Sequence, residues 1–266
     1  MRLGLVIYYT MEEKFIDING IKTFTRIGGA GTPFLILHGW GGSADSWLKV
    51  QENLARNLQV FVLDLPGFGK SGLPPRPWDV QDYMEFVLDF LESYNIRQYY
   101  LLGHSFGGRI SIKLSAQFPD RVIKLILVDS AGPQPTKKKF WKKVLPSIAS
   151  FVSIFSSWPG FQLFRRFFYQ FIIRSTDYLK AMGVMKETFL KVISEDLTSC
   201  LEKIKVRTLI VWGARDKITP LKDGRFMNSR IQHSDLVILP CNHNPHLEIP
   251  EDLSRKILDF LNKNGD

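Results

Sequence analysis

Residues 99–107, YYLLGHSFG, decide the fold of this chain. Their apolar start predicts a buried strand, and glycines at 103 and 107 flank Ser105 in a GxSxG pattern. Such a turn forces the serine into a strained backbone conformation, and neighbouring segments come too close for side chains at the flanking positions. Since the helix-like residues 109–117 follow, the stretch predicts a strand, a sharp turn that exposes the Ser105 hydroxyl, and a helix.

Short aliphatic runs and helix-like segments alternate on both sides of this turn. The predicted parallel strands are residues 33–37, 60–63, 99–102, 122–128, 208–212 and 236–239. Two earlier runs, 15–18 and 21–26, are joined by Asn19-Gly20 and predict an antiparallel hairpin at the sheet edge. Together with the amphipathic residues 80–94, the alternation predicts an α/β fold, a mostly parallel eight-stranded sheet with helices on both faces.

The composition is that of a soluble globular protein. The 266 residues are 45% hydrophobic and 23% charged, and this length is enough for one sizeable core. Cys200 and Cys241 are too few for a disulfide scaffold and lack metal-ligand spacing, so we expect a cytoplasmic location and no metal. Residues 1–10 lack the features of a secretory signal and are interpreted as an extension that contributes little to the fold.

The net charge of +9 is concentrated in one part of the sequence. Residues 134–205 contain thirteen Lys or Arg against five Asp or Glu, together with thirteen of the thirty-four aromatic residues. Because this charge is interleaved with apolar residues and no recognition motif accompanies it, we expect no nucleic-acid partner.

The alternation of strands and helices stops between residues 128 and 206. We therefore predict a core formed by residues 1–132 and 206–266, with a helical cap, residues 133–205, inserted between them. Residues 144–164 carry no charge, but Pro146 and the pair Pro159-Gly160 interrupt them, so a membrane span is not expected. Two short helices that close on the core are favoured. A transient membrane or lipid contact stays open because the basic KKKFWKK, residues 137–143, precedes them.

A serine hydroxyl is a weak nucleophile at neutral pH, so Ser105 needs a base within hydrogen-bond reach. Two of the five histidines, His243 and His246, lie after the last predicted strand. His243 is favoured as the base because it directly follows that strand and its turn. His246 is expected to line the pocket entrance or to pack on the loop.

The acid that orients the histidine is also predicted at a strand end. Asp216 lies in the loop GARDKITP, residues 213–220, and Asp129 follows the preceding strand in LVDSAG. Asp216 is favoured because its loop is longer and begins with glycine, whereas Asp129 fits a cap of its turn. The resulting chain order, Ser105 then Asp216 then His243, is the one described for this type of turn.

A tetrahedral intermediate needs preorganised donors for its negatively charged oxygen. The backbone N–H groups of Phe106, at the helix start, and of Trp40, in the glycine-rich loop 38–42, are the predicted donors. The residues predicted to contact substrate are His38, Gly39, His104, Phe140, Trp158 and His246.

Five motifs resemble those of the α/β-hydrolase superfamily with a helical cap. They are HGWGG at 38–42, DLPGFGKS at 64–71, GHSFGG at 103–108, GARDKITP at 213–220 and NHNPHLEIPE at 242–251. The resemblance covers nearly the whole chain outside the predicted cap and implies Ser105, Asp216 and His243 as the catalytic set. The serine at position 105 distinguishes the chain from the dehalogenases and epoxide hydrolases of this superfamily, which carry an aspartate there.

The function expected from these features is hydrolysis of a small-molecule carboxylic ester with an apolar acyl or alcohol part through an acyl-enzyme, without an organic cofactor. The alternative is a carbon–carbon bond hydrolase, or a lyase similar to one of the menaquinone pathway, acting on an anionic metabolite. In that case arginines of the cap, such as Arg165, Arg166 or Arg174, would hold a carboxylate. A third hypothesis, a binding protein without catalysis, is disfavoured because the triad is intact.

Overall fold

The computed structural model describes residues 11–133 and 178–263. The strands are β1 (Glu12–Ile18), β2 (Ile21–Gly28), β3 (Pro33–Leu37), β4 (Gln59–Leu63), β5 (Tyr99–His104), β6 (Val122–Val128), β7 (Thr208–Gly213) and β8 (Ser234–Leu239). The α-helices are α1 (Leu48–Leu54), α2 (Val80–Ser93), α3 (Phe106–Gln117), α4 (Tyr178–Ser194), α5 (Thr198–Leu201), α6 (Leu221–Arg230), α7 (Pro245–Glu248) and α8 (Pro250–Asn262).

The eight strands form one sheet in the order β1-β2-β4-β3-β5-β6-β7-β8. β2 pairs antiparallel with both β1 and β4, and all other pairs are parallel. Asn19 and Gly20 join β1 to β2 with φ angles of 53° and 80°, the left-handed values that a tight hairpin turn requires. The predicted mostly parallel eight-stranded sheet with an edge hairpin is confirmed.

The central strands are buried on both faces. In β3, Leu35 and Leu37 belong to the apolar layer shared with α2 and α3, whereas Phe34 and Ile36 belong to the layer shared with α1 and α8. A continuous aliphatic run is the sequence expected for a strand that is covered on both sides. The sheet is therefore a rigid platform whose strand ends can carry a site.

The helix α2 shows how local sequence sets an element. The Asp79 side chain accepts hydrogen bonds from the Gln81 and Asp82 N–H groups, and Asp82 in turn accepts from the Asp79 N–H, which completes a capping box. The chain leaves the helix at Asn95, whose φ of 55° is tolerated by asparagine better than by most residues. The buried apolar face of α2, which includes Tyr83 and Phe90, packs on the sheet.

The helices α4 and α5 lie between β6 and β7, within the predicted cap. Helix α4 is joined to the core by the Thr188 hydroxyl, which accepts the Trp78 N–H at 3.0 Å. Just after α4, the Glu195 carbonyl accepts Arg109 Nη1–H at 2.8 Å, and its carboxylate pairs with Lys113 at 2.7 Å. Residues 134–177 lie outside the described residues, so the cap and its boundaries stay a prediction. No helix in the described part of the chain is long and apolar enough to cross a membrane.

Candidate active site

Ser105 occupies a strained turn between β5 and α3. Its φ of 50° and ψ of −108° lie outside the regions that L-residues commonly adopt. A side chain at Gly107 would overlap the Leu37 carbonyl, and one at Gly103 would overlap the Ser111 hydroxyl. The two glycines therefore allow the close approach that holds the serine in this conformation.

The side chains of the three predicted catalytic residues form one hydrogen-bonded line. Ser105 Oγ lies 3.1 Å from His243 Nε2, and His243 Nδ1 lies 2.7 Å from Asp216 Oδ2. The three residues follow β5, β8 and β7, so they meet at the carboxyl edge of the parallel strands. When Nδ1–H donates to the carboxylate, Nε2 keeps a lone pair that can accept the hydroxyl proton.

The carboxylate of Asp216 is held by its own loop. Its Oδ1 accepts the N–H groups of Ile218 at 2.7 Å and Thr219 at 3.1 Å. Burial opposes ionisation, but the hydrogen bonds from His243, Thr219 and Ile218 outweigh it, so the pKa of Asp216 lies below its ordinary value. Asp216 is thus charged over the neutral range and fixed in the direction of His243.

Asp129, the alternative acid, has a different environment. It ends β6 in a left-handed conformation with a φ of 41°, and its Oδ1 accepts the Gly213 N–H at 2.7 Å. Its Oδ2 is buried and has no hydrogen-bond partner within the described residues. Burial, with a further contribution from the nearby charge of Asp216, raises the pKa of Asp129 to about 9. Asp129 is therefore neutral at pH 7 and does not orient His243.

We expect Asp129→Asn to reduce the pH dependence of stability. In the folded protein the pKa of Asp129 is about 9, whereas in the unfolded chain its carboxyl ionises near pH 4. Unfolding between these values releases a proton, so the contribution is complete below pH 4 and is lost as pH rises, by up to about 1.4 kcal/mol per pH unit. Urea denaturation at pH 5 and pH 8 measures this slope. Equal slopes for wild type and variant would show that Asp129 is ionised in the folded protein.

Two residues that support the site were missed from the sequence. The Thr219 hydroxyl lies 2.7 Å from Asp216 Oδ2 and 3.2 Å from His243 Nδ1, so it borders the contact between the acid and the base. The Glu248 carboxylate accepts hydrogen bonds from the backbone and side-chain N–H groups of Asn242, which fixes the residue before His243. A threonine three residues after an aspartate is a signal for an Asx-type turn, whereas Glu248 has no local signal.

Phe106 and Trp40, the residues of the two predicted oxyanion donors, are next in sequence to Ser105 and to Gly39, respectively. The Phe106 N–H opens α3, and Gly39, the residue before Trp40, is so close that a Cβ there would lie 3.3 Å from Ser105 Cβ. Within the described residues, neither the Phe106 N–H nor the Trp40 N–H donates to a backbone carbonyl. Their role as donors to a developing oxyanion stays a prediction.

The predicted substrate contacts need correction for three histidines. His38, His104 and His246 are buried, so their rings are not available to a substrate. His246 stacks on Trp47 with ring centroids 4.3 Å apart, and burial lowers its pKa to about 3. The uncharged ring packs in the core beneath the site and does not line the entrance. Gly39 lies at the site, and Phe140 and Trp158 lie outside the described residues.

A metal site is not found in the part of the chain that the structure describes. No group of three or more His, Cys, Asp or Glu side chains there could hold a metal ion.

The chain belongs to the alpha/beta hydrolase fold family, whose model matches residues 32–199. A similar protein is a 2-hydroxy-6-oxo-6-(2'-aminophenyl)hexa-2,4-dienoic acid hydrolase of Metapseudomonas resinovorans, 26% identical over 96% of this chain and 92% of that protein. The monoacylglycerol lipase ABHD6 of Rattus norvegicus is 26% identical over 97% of this chain and 83% of the lipase.

A solved structure, that of a membrane phospholipase A described as a bacterial virulence factor, is similar with a TM-score of 0.78. The two sequences are 26% identical, and the match covers 94% of this chain and 86% of the phospholipase. The similar proteins therefore include a lipase, a phospholipase and the hydrolase of a dienoic acid.

Proposed function

We propose that this protein is a serine hydrolase that cleaves carboxylic esters through an acyl-enzyme. Ser105 is the nucleophile, His243 the general base and Asp216 the acid that orients it. The observation that carries the proposal is the line of hydrogen bonds of 2.7 Å and 3.1 Å from Asp216 through His243 to Ser105. The similarity to a monoacylglycerol lipase and to a phospholipase A supports the same reaction class.

The chemistry follows from this geometry. His243 Nε2 takes the hydroxyl proton while Ser105 Oγ attacks the ester carbonyl, and the Trp40 and Phe106 N–H groups bind the oxyanion. Asp216 stabilises the imidazolium that forms, which then donates its proton to the departing alcohol. A water molecule, activated by the same histidine, attacks the acyl-enzyme and releases the acid.

The described wall beside the nucleophile is aromatic. The Trp40 ring lies with its centroid 4.8 Å from Phe68, 5.3 Å from Phe106 and 5.1 Å from Phe189. Phe189 projects from α4 and is 40% exposed, although its ring contacts the ring of Trp40, whose N–H is a proposed oxyanion donor. A large exposed aromatic side chain at this place favours an apolar acyl or alcohol part in the substrate.

The test of the proposed function is a reaction with a fluorophosphonate and a series of nitrophenyl esters of increasing chain length. We expect covalent labelling and turnover that improves with chain length, since each buried methylene contributes about 0.8 kcal/mol. Absence of both labelling and turnover in correctly folded protein would refute a serine hydrolase.

Phe189→Ala is expected to lower kcat/KM for long-chain esters by about tenfold, because loss of a half-exposed aromatic surface removes part of a 1.5–3 kcal/mol burial term. The acetyl ester should change by less than about twofold, since it does not reach the ring. Phe15→Ala, which removes a phenylalanine of similar exposure, 50%, from β1, is the matched control. An equal loss for short and long esters would show that Phe189 does not contact the chain.

A second candidate is hydrolysis of a carbon–carbon bond in an anionic metabolite. The similarity to the Metapseudomonas resinovorans hydrolase over 96% of this chain favours it. The proposed clamp, Arg165, Arg166 or Arg174, lies outside the described residues. Turnover of a carboxylate-bearing dienoate together with no turnover of neutral nitrophenyl esters would favour this candidate over the esterase.

A further inference from the structure

His38 is fully buried at the end of β3 and makes two hydrogen bonds that fix the position of its proton. Its Nε2 lies 3.0 Å from the Leu65 backbone nitrogen. A backbone N–H can only donate, so Nε2 must be the unprotonated acceptor. A neutral ring then carries its proton on Nδ1, which lies 2.8 Å from the Gly39 carbonyl oxygen and donates to it.

The Gly39 carbonyl is thereby held from two directions. Besides His38 Nδ1–H it accepts the Gly42 N–H at 2.9 Å. In a planar trans peptide, the carbonyl and the following N–H point in opposite directions. Holding the Gly39 oxygen therefore turns the Trp40 N–H away from His38 and Gly42.

Gly39 also lies close to the nucleophile. A Cβ on Gly39 would be 3.3 Å from Ser105 Cβ, and the His38 carbonyl accepts the Gly107 N–H at 3.1 Å. The loop that carries Trp40 is thus joined to the serine turn on one side and oriented by the His38 ring on the other.

We propose that His38 is a positioning residue, which directs the Trp40 N–H at the oxyanion by holding the Gly39 carbonyl with its Nδ1–H. The inference rests on the proposed serine-hydrolase function. Burial lowers the pKa of His38, which keeps the ring neutral and its Nε2 available to Leu65. The carboxylate of Asp64 is the charge that opposes this effect.

Two substitutions separate the two hydrogen bonds. His38→Asn places an amide N–H near the position of Nδ1, where it can donate to Gly39, but leaves the Leu65 N–H unpaired. His38→Gln places its amide near Nε2, where the oxygen can accept from Leu65, but loses the donor to Gly39. Both variants lose one hydrogen bond and ring packing, so a purely structural role would affect them alike.

We expect His38→Gln to lower kcat by roughly 10- to 100-fold with little change in KM, because one oxyanion donor is misdirected rather than removed. His38→Asn should lose less than about fivefold in kcat, despite a comparable fall in Tm. His233→Gln, the same change at an exposed histidine, serves as the control. Equal losses of kcat in the Asn and Gln variants, or a wild-type kcat in His38→Gln, would overturn the inference.

The wild-type protein provides a test that does not depend on the variants folding. Nitrogen-15 NMR of the histidine rings should show His38 protonated at Nδ1. His104, whose Nε2 lies 2.8 Å from the His243 carbonyl oxygen, should show the opposite tautomer and serves as an internal reference. A proton on Nε2 of His38 would overturn the proposal. A wild-type protein that reacts with neither esters nor fluorophosphonate would instead refute the proposed function.

Discussion

Ser105→Ala is expected to lower kcat for nitrophenyl ester hydrolysis by roughly 10⁴- to 10⁶-fold, while the Tm changes by only a few degrees. Alanine keeps the Cβ and fits the same turn, so the substitution removes the nucleophile and little else. The activity that remains would come from the oxyanion donors and from substrate binding, which position the ester for attack by water. Steady-state kinetics over the chain-length series measures the effect.

The control for this variant is Ser229→Ala, which removes an exposed hydroxyl of α6 that bonds only to the Phe226 carbonyl within the described residues. It should retain wild-type kcat and wild-type labelling by the fluorophosphonate. If Ser105→Ala were labelled as fast as wild type, a different residue would be the nucleophile and the proposed mechanism would be wrong.

Asp216→Asn is expected to lower kcat by about 10⁴-fold. The asparagine amide would present an N–H to His243 Nδ1 and favour the tautomer with its proton on Nε2. That tautomer cannot accept the Ser105 proton, although the distances between the three side chains are retained. The loss should therefore be in kcat, with KM for the esters changed little.

Asp129→Asn is the matched control, because it makes the same chemical change in the neighbouring buried carboxyl. Asp129 is already neutral at pH 7 and bonds to Gly213 rather than to His243, so kcat should fall by less than about tenfold. A loss in Asp129→Asn as large as in Asp216→Asn would mean that the acid follows β6 and not β7.

Much of the fold can be predicted from the sequence because buried parallel strands are continuous aliphatic runs. The predicted residues 33–37 and 122–128 agree with β3 and β6 at every position. The start of α3 is harder to predict, because helix periodicity begins at Arg109 but the helix itself begins at Phe106. The pair Gly107-Gly108 has no side chains to show a helical face, so the first turn is hidden from pattern analysis.

Part of the candidate site could also be predicted from the sequence, and part of it could not. The spacing of motifs brought Ser105, Asp216 and His243 to one edge of the sheet, and the structure places their side chains within hydrogen-bond distance. The role of Thr219 and the direction of the Gly39 peptide depend on contacts between distant segments, which no local pattern records. For His246 the sequence leaves two alternatives open, lining the entrance or packing on the loop, and in the structure its ring stacks on Trp47.

The left-handed backbone at position 105 has a consequence for how this scaffold can change its chemistry. The constraint comes from the main chain and from the two flanking glycines, so the angle at which a side chain leaves this turn is independent of what that side chain is. A thiol or a carboxylate could stand in the same place and be presented along the same line. The chemistry of the nucleophile could therefore change by one substitution at position 105, whereas the direction of attack is set by the surrounding backbone.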